Sequence, residues 1–327
     1  MSTLALLRGP ARVAVRQHRR TLQIAGLVAV AGIIVLIGFA LRTSHLIDTF
    51  AAGTCKASGV HGPACDQRIV DFNGSMSLYS TLLMYAQLAL MVLPAAVGAF
   101  FAGPVIAREL ESGTYRMAWT QSVTPTRWLA AKLAAPAVLL VTGVTVLSAT
   151  LSWAQTRTAD AFTVDWFDAP VFVATLPVVL GYTLLGIAVG ALTGLLVRRT
   201  VAAMSVAALV MGTVMATLVS LRSGLWPQET RISPTEGNSG VPDTAWVVDV
   251  GRVTSSGERL PLDVCWPQAE EARVTRCLAE RDVTGMFVDY HPASHLWPLQ
   301  LVETGILLAL AAVALALAFR VLRRRHG

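Results

Sequence analysis

Charged side chains are scarce in this sequence of 327 residues. They make up 14% of the residues, whereas a soluble domain carries about 25%. Hydrophobic residues make up 54%, and the mean hydropathy is +0.59. A surface with so little charge does not face water everywhere, so the composition excludes an ordinary soluble protein.

The charges are absent above all from six long apolar segments. The segments are 22–41, 78–101, 133–153, 171–197, 201–221 and 299–319. The first five lack Asp, Glu, Lys and Arg, and the sixth contains only Glu303. Each is long enough to cross a bilayer as a helix, which takes about 20 residues. Unbroken apolar runs are not the alternating pattern of a barrel strand, so we predict an all-α membrane protein with six transmembrane helices.

Lysine is almost absent, and this excludes one kind of ATP site. The lysines are Lys56 and Lys132, and neither follows a glycine. A Walker A loop needs Gly-Lys-Ser/Thr, because the lysine reaches the phosphates and the hydroxyl holds Mg²⁺. The HExxH and GxSxG motifs are also missing. We therefore predict that this chain is not itself an enzyme.

The arginines divide the connections between spans into a basic and an acidic class. The basic class comprises residues 1–21, 105–132, 198–200 and 320–327. The acidic class comprises residues 42–77, 154–170 and 222–298. The basic class holds 15 cations and two acids, and the acidic class 11 cations and 17 acids. The positive-inside rule places the basic class, with both termini, in the cytoplasm.

The net charge of +6 and the isoelectric point of 9.5 follow from this topology. They indicate attraction to anionic membrane lipids and give no argument for nucleic-acid binding. The predicted location is the plasma membrane, crossed several times.

Cysteine is used only in connections assigned to the outside. Disulfides persist in oxidising compartments, so the natural pairing is two short-range bridges, Cys55–Cys65 and Cys265–Cys277. Four free thiols or a metal site are the alternatives. Neither pair has CxxC spacing and no histidine cluster accompanies them, so we predict no metal.

The connection 222–298 is predicted to be a small α/β extracellular domain between spans five and six. Its predicted elements are strands over 246–253, 258–263 and 284–290 and a helix over 267–281 that ends before Gly285. The rest of the chain is 1–221, with five spans, and 299–327, with the sixth span and a basic tail. The outer loop 42–77 is predicted to have little regular structure.

Three features inside or beside the spans leave alternatives open. Gly186, Gly190 and Gly194 share a helix face, which indicates close packing or, less favoured, a moving helix contact. Glu303 is either an outer gate or substrate contact, or a carboxylate bonded to a neighbouring helix end. His291 and His295 flank Pro292, which favours interfacial histidines over a metal or catalytic site.

The inner loop 105–132 carries the strongest functional pattern. Gly113 interrupts the extension of the second span, and Thr114 can cap a short new helix. Tyr115 and Trp119 lie on one face of that helix. Such a short amphipathic helix either lies on the membrane surface, which physical reasoning alone favours, or docks into a partner.

The residues around this loop resemble a known family. The run Arg108-Glu109-x-Glu111-x-Gly113-Thr114, followed by Pro125-x-Arg127-x-x-x-x-Lys132-Leu133, is similar to the loop after the second span in type-2 permeases of ATP-binding-cassette (ABC) exporters. The string from 113 to 123 is similar to the actinobacterial branch of these permeases. So are residues 16–19 and the residues 290–303 before and within the sixth span.

The resemblance implies a permease subunit without a cofactor of its own, whose inner loop contacts a separate ATPase subunit that binds ATP and Mg²⁺. The residues implied in that contact are Glu109, Glu111, Gly113, Thr114, Tyr115, Trp119, Pro125, Arg127 and Lys132. It also implies a homodimer, or a heterodimer with a second permease, that exports its substrate. An apolar central path between the spans would suit a lipophilic or amphipathic substrate.

Two other functions remain open on sequence grounds. An ion-coupled secondary carrier normally has acids deep in the membrane and a repeat between its halves. Five spans lack any charge and no repeat is evident, which argues against it. A membrane sensor that uses the extracellular domain is the second alternative.

Overall fold

The computed structural model describes residues 19–53, 55, 63–113, 124–158, 164–234, 240–266 and 271–326. Within these residues the chain is mostly helical, with one small antiparallel sheet. Six of the described helical segments are long and apolar enough to cross a membrane, which confirms the number predicted from the missing charges.

The elements follow one another from an N-terminal helical part to the sheet and a last long helix. The helices are α1 (Arg19–Ala51), α2 (Pro63–Ala96), α3 (Gly103–Ser112), α4 (Pro125–Thr156), α5 (Ala169–Ala174), α6 (Val178–Val197), α7 (Thr200–Leu221), α8 (Glu271–Glu280) and α9 (Leu296–His326). The strands are β1 (Glu229–Ser233), β2 (Trp246–Thr254), β3 (Arg259–Pro261) and β4 (Val283–His291). A π-helix, Val97–Ala102, joins α2 to α3, and 3₁₀ turns at Arg222–Gly224 and Ala293–His295 follow α7 and precede α9.

The prediction of little regular structure over 42–77 is wrong for much of that segment. The first helix continues to Ala51, and α2 already begins at Pro63. Local contacts stabilise these extensions, such as the hydrogen bond from Gln67 Nε2 to Asp71 Oδ1, 3.0 Å and four residues apart. The two extensions also meet, since the rings of Phe50 and Phe72 stack at 4.3 Å. A disulfide joins Cys55 to Cys65.

The predicted fourth span, 171–197, is not one helix. It is divided into α5 and α6 by Thr175, Leu176 and Pro177. Thr175 takes an extended backbone conformation at the end of α5. The ring of Pro177 disfavours helical backbone at the residue just before it, Leu176, so the helix does not continue through this point. The carbonyl of Ala174, at the end of α5, accepts a hydrogen bond from Ser148 Oγ at 2.7 Å. Of this stretch, α6 is long enough to cross the membrane.

Contacts divide the chain into two compact units, which we call the helical unit and the sheet unit. The helical unit comprises Met1–Val164, Asp168–Thr217 and Glu303–Gly327. The sheet unit comprises Asp165–Phe167 and Leu218–Val302. The sheet unit thus contains the predicted domain 222–298 together with the last residues of α7 and the first of α9.

The helical unit has an apolar core in which several buried hydroxyls donate hydrogen bonds to backbone carbonyls. One cluster gathers Leu83, Val144, Ala154 and Val179 from three helices. Within it, the hydroxyl of Tyr79 donates to the carbonyl oxygen of Ala154 at 2.8 Å. In lipid such pairing is required, because there is no water to satisfy a buried polar group.

The sheet unit is built on four antiparallel strands in the order β1-β4-β2-β3. Of its strands, β1 was not predicted, and β3 is shorter than the predicted 258–263. The helix α8 agrees with the prediction over 271–280, and its Cys277 is bonded to Cys265.

The sequence analysis predicted Gly285 just past the end of a helix, and this prediction is wrong. Gly285 lies inside β4, where a Cβ atom would come within 2.5 Å of the carbonyl oxygen of Ser233. Glycine is needed there for the close approach of the chain near the end of β1. Asp282, with φ of +52°, takes the left-handed conformation after α8 instead.

Candidate coupling site

Within the inner loop, α3 ends at Ser112 and is followed by Gly113. Gly113 has φ of +73°, a left-handed conformation that glycine adopts without strain and that commonly ends helices. The chain resumes at Thr124, whose hydroxyl accepts a hydrogen bond from the backbone N–H of Arg127 at 3.4 Å and so caps α4. The predicted site residues Thr114, Tyr115 and Trp119 lie in 114–123, outside the described residues.

Glu109 joins the two flanks of the loop. Its carboxylate forms an ion pair with Lys132 Nζ on α4 and accepts a hydrogen bond from Trp128 Nε1 at 3.2 Å. The side chains of Glu109 and Lys132 are only 22% and 20% exposed, so water screens this ion pair less than a fully exposed one. The end of α3 is therefore attached to the first turns of α4.

Trp128 lies between the predicted site residues Arg127 and Lys132, and the sequence analysis did not single it out. It is 5% exposed and packs in an apolar cluster with Leu129 of α4, Leu195 of α6 and Leu322 of α9. A signal was present, since Trp128 precedes the predicted Lys132 by four residues and so lies on the same helix face. The Trp128 side chain that contacts Glu109 is therefore held in a buried apolar cluster formed by three helices.

Glu111 reaches a different helix. Its Oε2 accepts hydrogen bonds from the backbone N–H of Thr200, at 3.1 Å, and from the Thr200 hydroxyl, at 2.7 Å. Thr200 is the first residue of α7, so the carboxylate satisfies an N–H group that has no partner within the helix and interacts favourably with the helix dipole. The contact spans 89 residues of sequence, and no local pattern predicts it.

The remaining predicted residues face water at the edge of the site. Arg127 is exposed in the first turn of α4, directly after Pro125. Arg108 is exposed on α3 and lines an open cavity with Glu111, Ser112 and Thr200. The arrangement combines two acids that bond to other helices of the chain with two exposed arginines.

The three glycines on one face of α6, Gly186, Gly190 and Gly194, pack against the π-helix that precedes α3 and the residues beside it. A Cβ atom at Gly186 would lie 2.3 Å from the carbonyl oxygen of Pro94, and one at Gly190 would lie 2.5 Å from that of Gly98. At Gly194 the distance to the Gly103 carbonyl oxygen would be 2.8 Å. Cβ atoms are essentially never this close to other atoms, so only glycine fits at these positions. We call this contact, between Gly186, Gly190 and Gly194 on one side and Pro94–Gly103 on the other, the glycine seam.

The π-helix shapes the other side of the glycine seam. It closes with a hydrogen bond from the Gly103 N–H to the carbonyl of Gly98, five residues back. Such wide turns are rare in proteins, and those that occur are often found at functional sites. The small residues Gly98, Ala102 and Gly103 were the sequence signal for this contact, and the sequence analysis did not use it.

Comparison with known proteins adds one match. The family model described as ABC-2 membrane transporter related matches residues 24–222, which is more than half of the chain. The chain belongs to this family. No curated protein and no solved structure matches it. The family makes the chain an ABC transporter permease, a multi-pass membrane component that is not the ATPase itself.

The match places the inner loop and the glycine seam within the family region of the permease. That region also includes both flanks of the loop and Thr200. It ends before β1, so the sheet of the sheet unit lies outside it. The resemblance to permeases is thereby confirmed, whereas the actinobacterial branch stays a prediction.

Glu303 of the permease is buried in the helical unit. Its side chain is 0% exposed, and its Oε1 accepts a hydrogen bond from the hydroxyl of Tyr182 at 3.0 Å. Tyr182 is also fully buried, one helical turn before Gly186 on α6. The geometry is that of a carboxylate bonded to a neighbouring helix near its end; the gating role stays a prediction.

Proposed function

We propose that the permease is the membrane-spanning subunit of an exporter that is driven by a separate ATPase subunit docked on the inner loop. The ATPase subunit binds ATP and Mg²⁺ and transmits its movement through the loop to the membrane helices. Two permease chains, identical or paralogous, complete the assembly in the bacterial plasma membrane. The observation that carries this proposal is the pair of acids that attach the end of α3 to two other helices.

The first attachment reaches the helix after the loop. Through Glu109, a displacement of the loop acts on Lys132 and Trp128 of α4 together. Trp128 in turn contacts the cluster that includes residues of α6 and α9. Because packed side chains resist deformation, a push on the loop moves these helix ends together.

The second attachment reaches α7. Glu111 holds the first residue of that helix through two hydrogen bonds, and its exposed carboxylate can also be reached by a docking protein. A partner that competes for Glu111 would release the start of α7. The exposed Arg108 and Arg127 are suited to acidic residues of such a partner, and Thr114, Tyr115 and Trp119 are proposed to complete the contact.

Charge supports the orientation. The inner loop and both termini belong to the basic class of connections, which we place in the cytoplasm, where ATP is available. The sheet unit, with its disulfide and acidic sequence, is placed outside. The substrate is proposed to be lipophilic or amphipathic, since the spans offer apolar surface, and Glu303 with Tyr182 is the proposed polar contact on its route.

The coupling can be tested with the permease purified together with the ATPase encoded beside its gene and reconstituted in proteoliposomes. We expect Glu109→Gln and Glu111→Gln each to lower permease-dependent ATPase activity several-fold, since each loses the negative charge that attaches the end of α3 to another helix. Glu280→Gln, an exposed acid of α8, is the matched control and should behave as the unchanged chain.

Two results would contradict the proposed coupling. Normal ATPase activity and transport in the double variant Glu109→Gln/Glu111→Gln would show that these contacts do not couple the subunits. Failure of the ATPase to co-purify with the permease, combined with proton-dependent transport without ATP, would instead favour a secondary carrier.

A further inference from the structure

Two histidines of the sheet unit lie against each other at the end of β4. His291 is the last residue of that strand, and His295 ends the 3₁₀ turn that leads into α9. Their Nδ1 atoms are 3.0 Å apart. The sequence analysis treated them as interfacial residues on either side of Pro292 and did not predict this contact.

The surroundings of His291 determine which of its nitrogens carries a hydrogen. Its Nε2 lies 3.0 Å from the carbonyl oxygen of Ser223, in the turn directly after α7. A carbonyl oxygen only accepts, so Nε2 carries the hydrogen and donates it. Burial lowers the pKa of His291, partly opposed by the bond to Ser223. The ring is therefore neutral, with Nδ1 as a bare acceptor.

This assignment fixes the state of His295. Two bare nitrogens 3.0 Å apart would repel each other, so the hydrogen between the rings belongs to His295 Nδ1. The other nitrogen of His295, Nε2, lies 3.7 Å from Glu229 Oε1. This nitrogen forms an ion pair with the carboxylate only when His295 carries a second hydrogen.

We propose that His291 and His295 hold one extra proton between them and form a pH-sensitive clamp that joins the end of α7 to the start of α9. The clamp consists of Ser223, His291, His295 and Glu229. With the proton present, all three contacts in this row are satisfied. Without it, the single remaining hydrogen of His295 can face either His291 or Glu229, so one contact is lost and the clamp loosens.

The other charged groups nearby are engaged with partners of their own. The charged or titratable groups of the neighbouring elements are Glu229 and Arg231 of β1, Asp289 and Tyr290 of β4, Arg259 of β3 and Arg222 after α7. Asp289 is paired with Arg259 at 2.5 Å. The Tyr290 hydroxyl donates a hydrogen bond to Glu229 Oε2 at 3.0 Å. Arg231 also interacts with Tyr290, through a hydrogen bond and through its charge. Arg222 is buried and also has partners.

Aromatic rings cover the pair. The ring centroid of Trp246 lies 5.3 Å from that of His291, and the ring centroid of Trp226 lies 6.5 Å from that of His295. These rings limit the access of water, so a change of charge at the pair is felt by the contacts around it. The clamp belongs to the sheet unit and thus responds to the pH of the compartment that this unit faces.

The clamp is expected to be stronger near pH 5.5 than near pH 8. Histidine is the side chain whose charge ordinarily changes between about pH 5 and 8, and the ion pair with Glu229 needs the extra proton. The junction should therefore be better protected at the lower of these two pH values.

Hydrogen–deuterium exchange of the full-length permease in lipid nanodiscs tests the clamp, with rates corrected for the intrinsic pH dependence of exchange and with EDTA present. We expect peptides over 286–300 to be about fivefold better protected near pH 5.5 than near pH 8, equivalent to one hydrogen bond. In His295→Gln, which cannot carry the proton, the difference should disappear. His45→Gln, an exposed histidine of α1, is the matched control and should keep it.

Glu229→Gln provides a second variant in case His295→Gln does not fold. Without the carboxylate, the loss of protection should begin at a lower pH. The proposal is overturned if protection in the unchanged chain is independent of pH or if His295→Gln retains the difference. It is also overturned if the difference appears only with added Zn²⁺, because the pair would then bind a metal ion in place of a proton.

Discussion

The two units of the permease are stabilised by different kinds of contact. In the helical unit, the backbones of α6 and the π-helix touch at glycines, while an ion pair, Glu109–Lys132, and a disulfide, Cys55–Cys65, lie in the connections between the apolar segments. In the sheet unit, an ion pair between Arg259 and Asp289 and a disulfide supplement a small apolar core. Lipid offers helices no hydrophobic drive to associate, so close packing takes its place. A small water-exposed domain needs covalent and polar support.

The family match divides along a similar line. It covers the first five membrane helices and ends before β1. The first five membrane helices and the inner loop thus lie within the region that the family model matches, and the strands lie outside it. We therefore expect changes in the helical unit to affect coupling and changes in the sheet unit to leave it intact.

The largest effect is expected at the glycine seam. Gly190→Val would place side-chain atoms where a Cβ already comes within 2.5 Å of the Gly98 carbonyl oxygen. The cost should reach or exceed about 3 kcal/mol, the upper end for overpacked cores. Thermal unfolding in detergent measures it. Gly143→Val is the matched control, since nothing lies within 4 Å of a Cβ there; equal losses in both variants would mean that the seam is not tightly packed.

A slightly smaller effect is expected from the disulfide of the sheet unit. Replacing Cys265 and Cys277 by serine should lower the opening free energy of the sheet by about 3 kcal/mol, given the short loop that the bond closes. Hydrogen exchange of β2 and β4 reports this loss, while ATPase stimulation should stay unchanged. The matched pair Cys55→Ser/Cys65→Ser should leave the sheet protected, and a loss of coupling in the first pair would contradict the division between the units.

The smallest effect is expected at Asp289. Burial raises its pKa, but hydrogen bonds from Thr230 and Arg259 and the charge of Arg259 outweigh burial, so the pKa lies below the usual range. Its contribution to stability is therefore present above about pH 3.9, the ordinary aspartate value, and is lost as the pH falls through the lower folded value.

Asp289→Asn should cost about 1 kcal/mol at neutral pH, because Arg259 is half exposed, and should remove this acid-dependent loss. Exchange rates of β4 between neutral and acid pH measure both effects. Asp263→Asn, an exposed acid after β3, should retain the acid-dependent loss; the same slope in the Asp289 variant would assign it to another group.

The sequence predicted those parts of the fold that depend on local composition. Missing charges predicted the six membrane helices, and Gly113 predicted where the helix before the loop ends. The break at Pro177 was missed because apolar residues continue across it, although a proline within a span was a visible warning.

The parts that depend on distant partners could not be predicted in this way. β1 is exposed and lacks alternation, so its strand conformation follows only from pairing with β4. Glu111 and Thr200 are remote in sequence, and so are Gly190 and Gly98, which meet at the glycine seam. The candidate site was therefore located by sequence, but its internal bonds were not.

The sidedness of the inner loop and the sheet unit is the claim on which the proposed coupling depends. It can be measured with a membrane-impermeant maleimide on intact cells, because the four native cysteines are bound in disulfides. Ser256→Cys, exposed in the turn after β2, and Ser112→Cys, exposed at the end of α3, are the probes. We predict that Ser256→Cys is labelled in intact cells and Ser112→Cys only after permeabilisation. Labelling of Ser112→Cys in intact cells, with Ser256→Cys protected, would contradict the account.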